Sequence, residues 1–264
     1  VPLVLRSSYS MLRGVPTPEA WAAAAAQAGL ERLALTDRNG VYGVPTFVDA
    51  CRKAGIAPVA GVELVYPGGR SVLIPRAKAG FSAICRLLTL RAAASGAFDA
   101  RAAIAGLLGR APEEAGRAAA PPGPALSCPD PASSCRAPPR GSLFILTDDL
   151  ALLDSLPPSE YLFALVTPCN RSAWRRLAAS GHRPAASPEA SFLEAGQRET
   201  QRLLLAIGAR KTVHDIEDSL LDPPEALWDS GLLGSGGPGA ARSGAASWSC
   251  RPDLLPWLEE AFAS

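Results

Sequence analysis

The chain has 264 residues, of which 48% are apolar, and this is enough for one large α/β domain with a substantial core. Lys and Arg total 26 against 25 Asp and Glu, so no global charge excess draws the protein to nucleic acid or to a membrane. The longest apolar stretches are too short to span a bilayer, and the N-terminus lacks the pattern of a signal peptide. A cytoplasmic protein without a membrane partner is therefore expected, and any contact with DNA would be local or indirect.

Short strands and helices alternate along the chain, which is typical of βαβ units. Strands are predicted at residues 3–5, 33–36, 56–62, 71–74, 143–146 and 162–166. Helices are predicted at residues 20–28, 45–54, 81–90, 150–156, 173–179 and 198–207. The last of these helices has a clear apolar stripe, which predicts one buried face.

Two segments interrupt this pattern. Residues 92–142 shift towards Ala, Gly, Pro and Arg, and the seven prolines between 118 and 140 are incompatible with a regular helix or a central strand. This segment is predicted to be a low-complexity insertion. Residues 223–264 read as a linker-like extension with a short helix at 254–262, so that residues 1–222 form one domain around the insertion.

Cysteine and histidine usage excludes several kinds of site. The six cysteines show no CxxC pair and no zinc-ribbon spacing, which favours reduced thiols over a disulfide framework. The only histidines, His182 and His214, are more than thirty positions apart and cannot form a metal cluster alone. Cys169 has no neighbouring histidine to act as its base, so a buried core thiol is favoured over a nucleophile.

Several motifs occur in a fixed order. Residues 5–14 read LRSSYSMLRG, residues 34–43 read ALTDRNGVYG, and residues 53–63 read KAGIAPVAGVE. RLLT at 86–89 and the segment from 192 to 207 follow in the same order. The series resembles the PHP (polymerase and histidinol phosphatase) domain of bacterial DNA polymerase III alpha subunits, including their error-prone type.

The resemblance implies a fold and a site. The fold is α/β, a distorted seven-stranded, TIM-like β/α barrel, and active members bind metals at the carboxyl ends of the strands to activate water against a phosphoester. The family's ligand positions fall here on residues that are poor or impossible metal ligands: Val4, Arg6, Arg13, Arg38, Arg70 and Ser191. Only Glu63, Cys169 and Glu189 remain as candidate ligands.

Four arginines at ligand positions argue against a metal, because a guanidinium offers no lone pair and repels a cation. We therefore expect a degenerate metal site with no cofactor and no catalytic residue. Without metals, Glu63 and Glu189 would be buried like charges. The hypothesis is that the arginines neutralise them through bidentate hydrogen bonds.

The sequence context predicts different orientations for the four arginine side chains. Arg6 and Arg38 follow strand ends and are predicted to line the pocket. Arg13 and Arg70 lie near glycine-containing turns, and for them an orientation towards solvent stays an equal alternative. Asp37, in the second motif, is predicted to support its turn through hydrogen bonds to the backbone.

Three functions follow as hypotheses. The first is a structural or docking module in DNA replication or damage-tolerance synthesis, whose partners would be the remaining polymerase domains or a replication or repair protein. The second is a metal-dependent phosphoesterase with a reduced site. The third is an anion-binding or nucleic-acid-binding module. Nothing in the 264 residues resembles the palm domain that carries the catalytic aspartates of these polymerases.

Overall fold

A computed structural model describes residues 2–94, 98–108, 141–167, 170 and 173–228 of the chain. The strands are β1 (Val4–Leu5), β2 (Arg32–Leu35), β3 (Ala57–Ala60), β4 (Val62–Tyr66), β5 (Gly69–Pro75), β6 (Leu143–Thr147), β7 (Leu162–Val166), β8 (Arg183–Ala186) and β9 (Glu189–Ala190). The helices are α1 (Pro18–Gln27), α2 (Val44–Ala54), α3 (Lys78–Ala93), α4 (Ala100–Leu107), α5 (Leu150–Ser155), α6 (Trp174–Ala179) and α7 (Gln197–Ala209). Across these ranges, each helix is too short or too polar to cross a membrane.

Local sequence signals set several helix ends. The Thr17 hydroxyl accepts a hydrogen bond from the amide of Ala20 at 3.2 Å, and Pro18 occupies the first turn of α1. Helix α2 ends at Gly55, whose φ of 74° is the left-handed conformation that glycine adopts without steric cost. The carboxylate of Asp149 caps α5 by accepting from the amides of Ala151 and Leu152.

The strands pair in three sheets. Strands β4 to β8 form a five-stranded sheet in sequence order, in which β5 is antiparallel to both neighbours and β6, β7 and β8 are parallel. The parallel pairs β1–β9 and β2–β3 form two smaller sheets. The predicted mixed α/β class is confirmed. The predicted closed barrel is not confirmed, because none of the three sheets closes on itself within the described residues.

One apolar core is shared by strands of all three sheets. It contains alternate residues of β5 and β6, Val72 and Ile74 with Phe144 and Leu146. Val4 of β1 also belongs to it and is fully buried. The intervening strand residues belong to two outer clusters, packed against the helices. This alternation with period two places one face of every contributing strand towards a common interior.

The third predicted strand is wrong as a single element. Residues 56–62 divide into β3 and the start of β4 at Gly61. A Cβ atom at Gly61 would lie 2.7 Å from the carbonyl oxygen of Leu73, so the neighbouring strand approaches more closely than a side chain allows. The break lets the strand change partner from β2 to β5.

Three other elements differ from the sequence-based expectation. Helix α4 lies inside the predicted insertion, where Asp99 caps it and Ile104 is fully buried. Strands β8 and β9 were not predicted, because they are short and have no alternating apolar pattern. Helix α7 buries Gln201 and Ala206, whereas Leu203 and Ile207 of its apolar stripe are exposed. Residues 109–140 of the insertion and the extension from 229, with its predicted helix at 254–262, lie outside the described residues.

Candidate functional site

The ends of the strands bring the charged side chains of the first, second and later motifs to one edge of the fold. Arg6 directly follows β1, and Arg38 comes shortly after β2. Glu63 lies in β4 and Arg70 at the start of the antiparallel β5, while Glu189 lies in β9. Because the carboxyl ends of parallel strands meet at the same edge, as does the amino end of an antiparallel strand, residues far apart in sequence become neighbours.

Arg6 lies at the centre of this group and is only 1% exposed. Its Nε and Nη2 donate to the two carboxylate oxygens of Glu63 at 2.7 Å each, a bidentate pair. Nη2 also donates to Glu189 at 2.5 Å, and Nη1 donates to Ser191 at 2.9 Å and to Asp222 at 3.2 Å. One guanidinium therefore joins three carboxylates that come from three separate parts of the chain.

Arg70 approaches the same carboxylates from β5. Its Nη1 donates to Glu63 and to Glu189 at 2.9 Å each, and its Nη2 donates to Glu189 at 3.0 Å. Its Nε donates to Asp148 at 2.9 Å, and its Nη2 also donates to the Thr167 hydroxyl at 3.1 Å. The alternative that Arg70 points to solvent is wrong. We call Arg6, Arg70, Glu63 and Glu189 the inner cluster.

The charges of the inner cluster stabilise one another. Burial by itself raises the pKa of Glu63, but Arg6, Arg70 and Arg38 outweigh burial and hold that pKa below its ordinary value. Burial likewise disfavours the charged form of Arg6 and of Arg70. The carboxylates of Glu63 and Glu189 outweigh it and raise the pKa of both guanidinium groups. Glu63, Arg6 and Arg70 are therefore charged at neutral pH.

Asp222 and Gln201 extend this network towards the first motif. The Asp222 carboxylate accepts from Arg6, from Nε of Arg13 at 3.2 Å and from Nε2 of Gln201 at 3.0 Å. Its backbone amide donates to Oε1 of Gln201 at 2.7 Å. Burial raises the pKa of Asp222, but Arg6 and Arg13 outweigh burial and lower it overall. The buried Gln201 thus fixes the segment that follows α7 over the site.

The loop of the first motif, which positions Arg13, is tightly folded. A Cβ at Gly14 would lie 1.7 Å from the carbonyl oxygen of Ser7, so only glycine fits there. The Gly14 amide donates to the carbonyl of Ser10 at 2.8 Å. Arg13 donates from Nη2 to the carbonyl of Leu220 at 2.6 Å, and its side chain is 22% exposed. The alternative that Arg13 points freely to solvent is therefore wrong as well.

Asp37 supports the turns around the site, as its sequence position predicts. Its carboxylate accepts from the amide of Ser7 at 2.7 Å and from the hydroxyls of Ser7 and Ser10 at 2.8 and 2.7 Å. The Ser10 hydroxyl in turn accepts from the amide of Arg38 at 3.0 Å. These bonds connect the first and second motifs and fix the backbone on which Arg38 is placed.

Arg38 differs from the other three arginines. Its Nε lies 3.3 Å from Oε2 of Glu63, which is within ion-pair distance, yet this buried atom has no hydrogen-bond partner. Its side chain is 24% exposed and borders a cavity of about 340 Å³. The lining residues of this cavity, which we call the outer pocket, are Tyr9, Met11, Arg13, Arg38, Asn39, Tyr42 and Val65.

The structure brings together most of the residues that the motifs single out. Arg6, Arg38, Arg70, Glu63 and Glu189 meet directly, and Ser191 bonds Arg6. Val4 belongs to the shared apolar core instead, and Cys169 lies outside the described residues.

Four polar partners were missed by sequence reasoning: Asp148, Thr167, Gln201 and Asp222. Asp148 and Thr167 directly follow strands β6 and β7, so the rule that polar residues gather at strand ends could have found them. Asp222 has no such signal, because it lies in an irregular segment after α7.

Comparison with known proteins confirms the resemblance. Residues 2–111 match the PHP domain family. Error-prone DNA polymerases from Anaeromyxobacter sp. (strain K) and Nocardia farcinica are 36% and 40% identical to this chain over 90 and 97 residues. These matches cover 32% and 37% of this chain but 8% of each polymerase. An amidohydrolase structure from Chromobacterium violaceum, 21% identical over 40% of this chain and 43% of its own, has a TM-score of 0.25, too low to support any conclusion.

Proposed function

We propose that this chain is a PHP domain in which arginines replace the metals, and that it serves as a structural or docking module of a DNA polymerase. The observation that carries the proposal is the inner cluster. Arg6 and Arg70 each bond both Glu63 and Glu189, the two acidic residues that survive at family ligand positions.

The donor set of the site does not fit a divalent cation. Both oxygens of Glu63 already accept from Arg6, and one of them also accepts from Arg70. A metal on these oxygens would have to displace two guanidinium groups and then remain close to their positive charge. Both steps cost free energy in a buried site, where charges interact strongly.

Charge counting favours the same proposal. Arg6, Arg13, Arg38 and Arg70 supply four positive charges, and Glu63, Glu189, Asp222 and Asp148 supply four negative charges within ion-pair distance of them. The group is neutral as a whole. An added divalent cation would leave it with an uncompensated charge.

We further propose that the strands form the seven-membered ring of the family's barrel. In support, the amide of Thr36 donates to the carbonyl of Leu5 at 2.9 Å, which links β1 to β2. If β3 continues into β4 and β8 into β9, the order β1, β2, β3–β4, β5, β6, β7, β8–β9 returns to β1 through the β1–β9 pair. The shared apolar core would be the interior of this ring.

The structural role follows from the relatives and from the chemistry of the site. The polymerases that match the chain are much longer than the matched segment. A folded domain with a neutralised, internally bonded site would support or dock the remaining polymerase domains in replication or damage-tolerance synthesis. The inner cluster would hold the strand ends together as metals would otherwise do.

Metal analysis tests the proposal directly. The 264-residue chain would be incubated with zinc or manganese, desalted and measured by mass spectrometry of its metal content, with thermal unfolding followed with and without a chelator. We expect substoichiometric metal, a melting temperature that the chelator does not change, and no hydrolysis of a generic phosphomonoester.

The competing hypothesis, a phosphoesterase with a reduced metal site, gives the opposite results. Stoichiometric metal that is lost in a Glu63→Gln variant, together with metal-dependent turnover, would overturn the structural role. Arg52→Gln is the matched control, because Arg52 is 73% exposed and its ion-pair partner among the described residues is Asp49 on its own helix.

A further inference from the structure

The outer pocket is lined by Arg13 and Arg38, and Arg38 has a weaker carboxylate partnership than the arginines of the inner cluster. The nearest carboxylate to Arg38, that of Glu63, is already engaged by Arg6 on both oxygens and by Arg70 on one of them. The Arg38 Nε is therefore buried within ion-pair distance of Glu63 but makes no hydrogen bond. A buried donor without an acceptor costs free energy, and it is uncommon in folded proteins.

The electrostatic balance around Arg38 is consistent with this geometry. Burial, opposed by Glu63 and reinforced by the like charges of Arg6 and Arg13, lowers the pKa of Arg38 to about 10. This value is still far above neutral pH, so the guanidinium keeps its charge. The Nε atom is buried against Glu63, so an oxyanion in the outer pocket would meet the exposed part of this guanidinium and add negative charge beside Arg13 and Arg38.

Apart from Arg13, Arg38 and Asn39, the outer pocket is lined by aromatic and apolar side chains. Tyr42 and Met11 are 73% and 74% exposed, and Tyr9 and Val65 complete this side of the lining. An exposed aromatic ring close to arginines is the combination with which proteins bind nucleotides, because bases stack on the ring while guanidinium groups pair with phosphate. The cavity of about 340 Å³ has room for more than a phosphate group alone.

We propose that the outer pocket binds one nucleotide unit, with a phosphate oxyanion at Arg38 and Arg13 and the base against Tyr42. The unit would belong either to a free nucleotide or to single-stranded nucleic acid, which share this chemistry. The site adjoins the inner cluster through Arg38 and Glu63, but it does not depend on the proposed structural role. Binding requires no metal and no bond cleavage.

Fluorescence anisotropy tests the proposal. The 264-residue chain would be titrated into a 3′-labelled oligothymidylate of about ten nucleotides, which is within the usual site size of single-strand-binding modules. Unlabelled dTMP, thymidine and inorganic phosphate would compete. We expect saturable binding, with dTMP a better competitor than thymidine or phosphate. Equal affinity of dTMP and the oligonucleotide would identify a free nucleotide as the ligand, and tighter oligonucleotide binding would identify a single strand.

Two variants locate the site. Arg38→Gln removes the charge and should weaken binding by about tenfold or more, and it should reduce the slope of log affinity against log salt by about 0.7. Tyr42→Ala should weaken binding without changing that slope, and its ring is too exposed to matter for folding. Arg52→Gln, on the surface of α2, is the control and should bind as the unmodified chain does.

Several results would overturn the proposal. Absence of saturable binding would do so, as would unchanged affinity and salt slope in Arg38→Gln. Thymidine competing as well as dTMP would exclude the phosphate contact. Inorganic phosphate competing as well as dTMP, or full affinity in Tyr42→Ala, would exclude the base contact.

Discussion

The inner cluster and the outer pocket both contain arginine side chains, but the hydrogen bonding and the exposure of these side chains differ. Arg6 is 1% exposed and donates five hydrogen bonds to side chains, four of them to carboxylates. Arg38, one strand away, is a quarter exposed and leaves a buried Nε without an acceptor. The difference teaches that neighbouring arginines at one edge of a fold need not have the same role. A guanidinium enclosed by carboxylates can hold a fold together, whereas one without them is available to a ligand.

The largest expected effect is that of Arg6→Met, which removes the charge but keeps much of the volume. Glu63, Glu189 and Asp222 would lose a shared cation while Glu63 and Glu189 stay buried. We expect the free energy of unfolding to fall by about 3–5 kcal/mol, measured by urea denaturation. Arg52→Met is the control and should change it by less than about 1 kcal/mol. A loss in Arg6→Met no larger than the control's would contradict the structural role of the inner cluster.

Acid should destabilise the protein through the same carboxylates. The pKa values of Glu63 and Asp222 are lowered from their ordinary 4.5 and 3.8 in the folded protein. A lowered folded pKa gives stability that is present above the unfolded value and lost as the pH falls through the folded value. The free energy of unfolding should therefore decrease as the pH falls below about 5.

Urea denaturation at a series of pH values measures this loss, and Glu63→Gln should show a shallower pH dependence. Asp37 acts in the opposite sense, because burial raises its pKa despite the bonds from Ser10 and Ser7. Its contribution is present below the unfolded value and is lost as the pH rises through the folded one. A stability that is flat between pH 7 and pH 3 would contradict the ion pairs of the inner cluster.

A double-mutant cycle tests the pair of Arg70 and Glu189. Arg70→Met, Glu189→Gln and the double variant should show a coupling free energy of about 1–3 kcal/mol, because the two side chains share a bidentate contact in a mostly buried position. Denaturation of the four proteins gives the coupling. Strict additivity would mean that the contact contributes nothing to folding.

The smallest expected effect is that of Arg38→Gln on stability. Glu63 keeps its bonds to Arg6 and Arg70 in this variant, and the lowered pKa of Arg38 indicates a charge that folding does not favour. The free energy of unfolding at neutral pH should change by less than about 1 kcal/mol. A loss comparable to that of Arg6→Met would place Arg38 in the inner cluster and remove the contrast between the two regions.

The sequence predicted the strand-end residues well and their partners less well. Arg6 and Arg38 follow apolar strands, and Glu63 ends a recognisable motif, so their meeting at one edge could be expected from the motifs. The contact of Asp222 with Arg6 and Arg13 could not be expected, because nothing in the sequence around Asp222 indicates that this segment returns across α7 to the site. Its position is decided by Gln201, a buried amide in a helix whose apolar stripe had suggested a different buried face.

The sequence by itself determined the mixed α/β class and the family resemblance, because residue identity and order carry that information. Only the tertiary structure decided which arginine meets which carboxylate. Several of these contacts join residues more than fifty positions apart, and that of Arg6 with Asp222 joins residues more than two hundred positions apart. They depend on strand register and close backbone approaches, such as that at Gly61, that no local pattern encodes. The distinction between an enclosed Arg6 and an unsatisfied Arg38 is therefore a property of the fold.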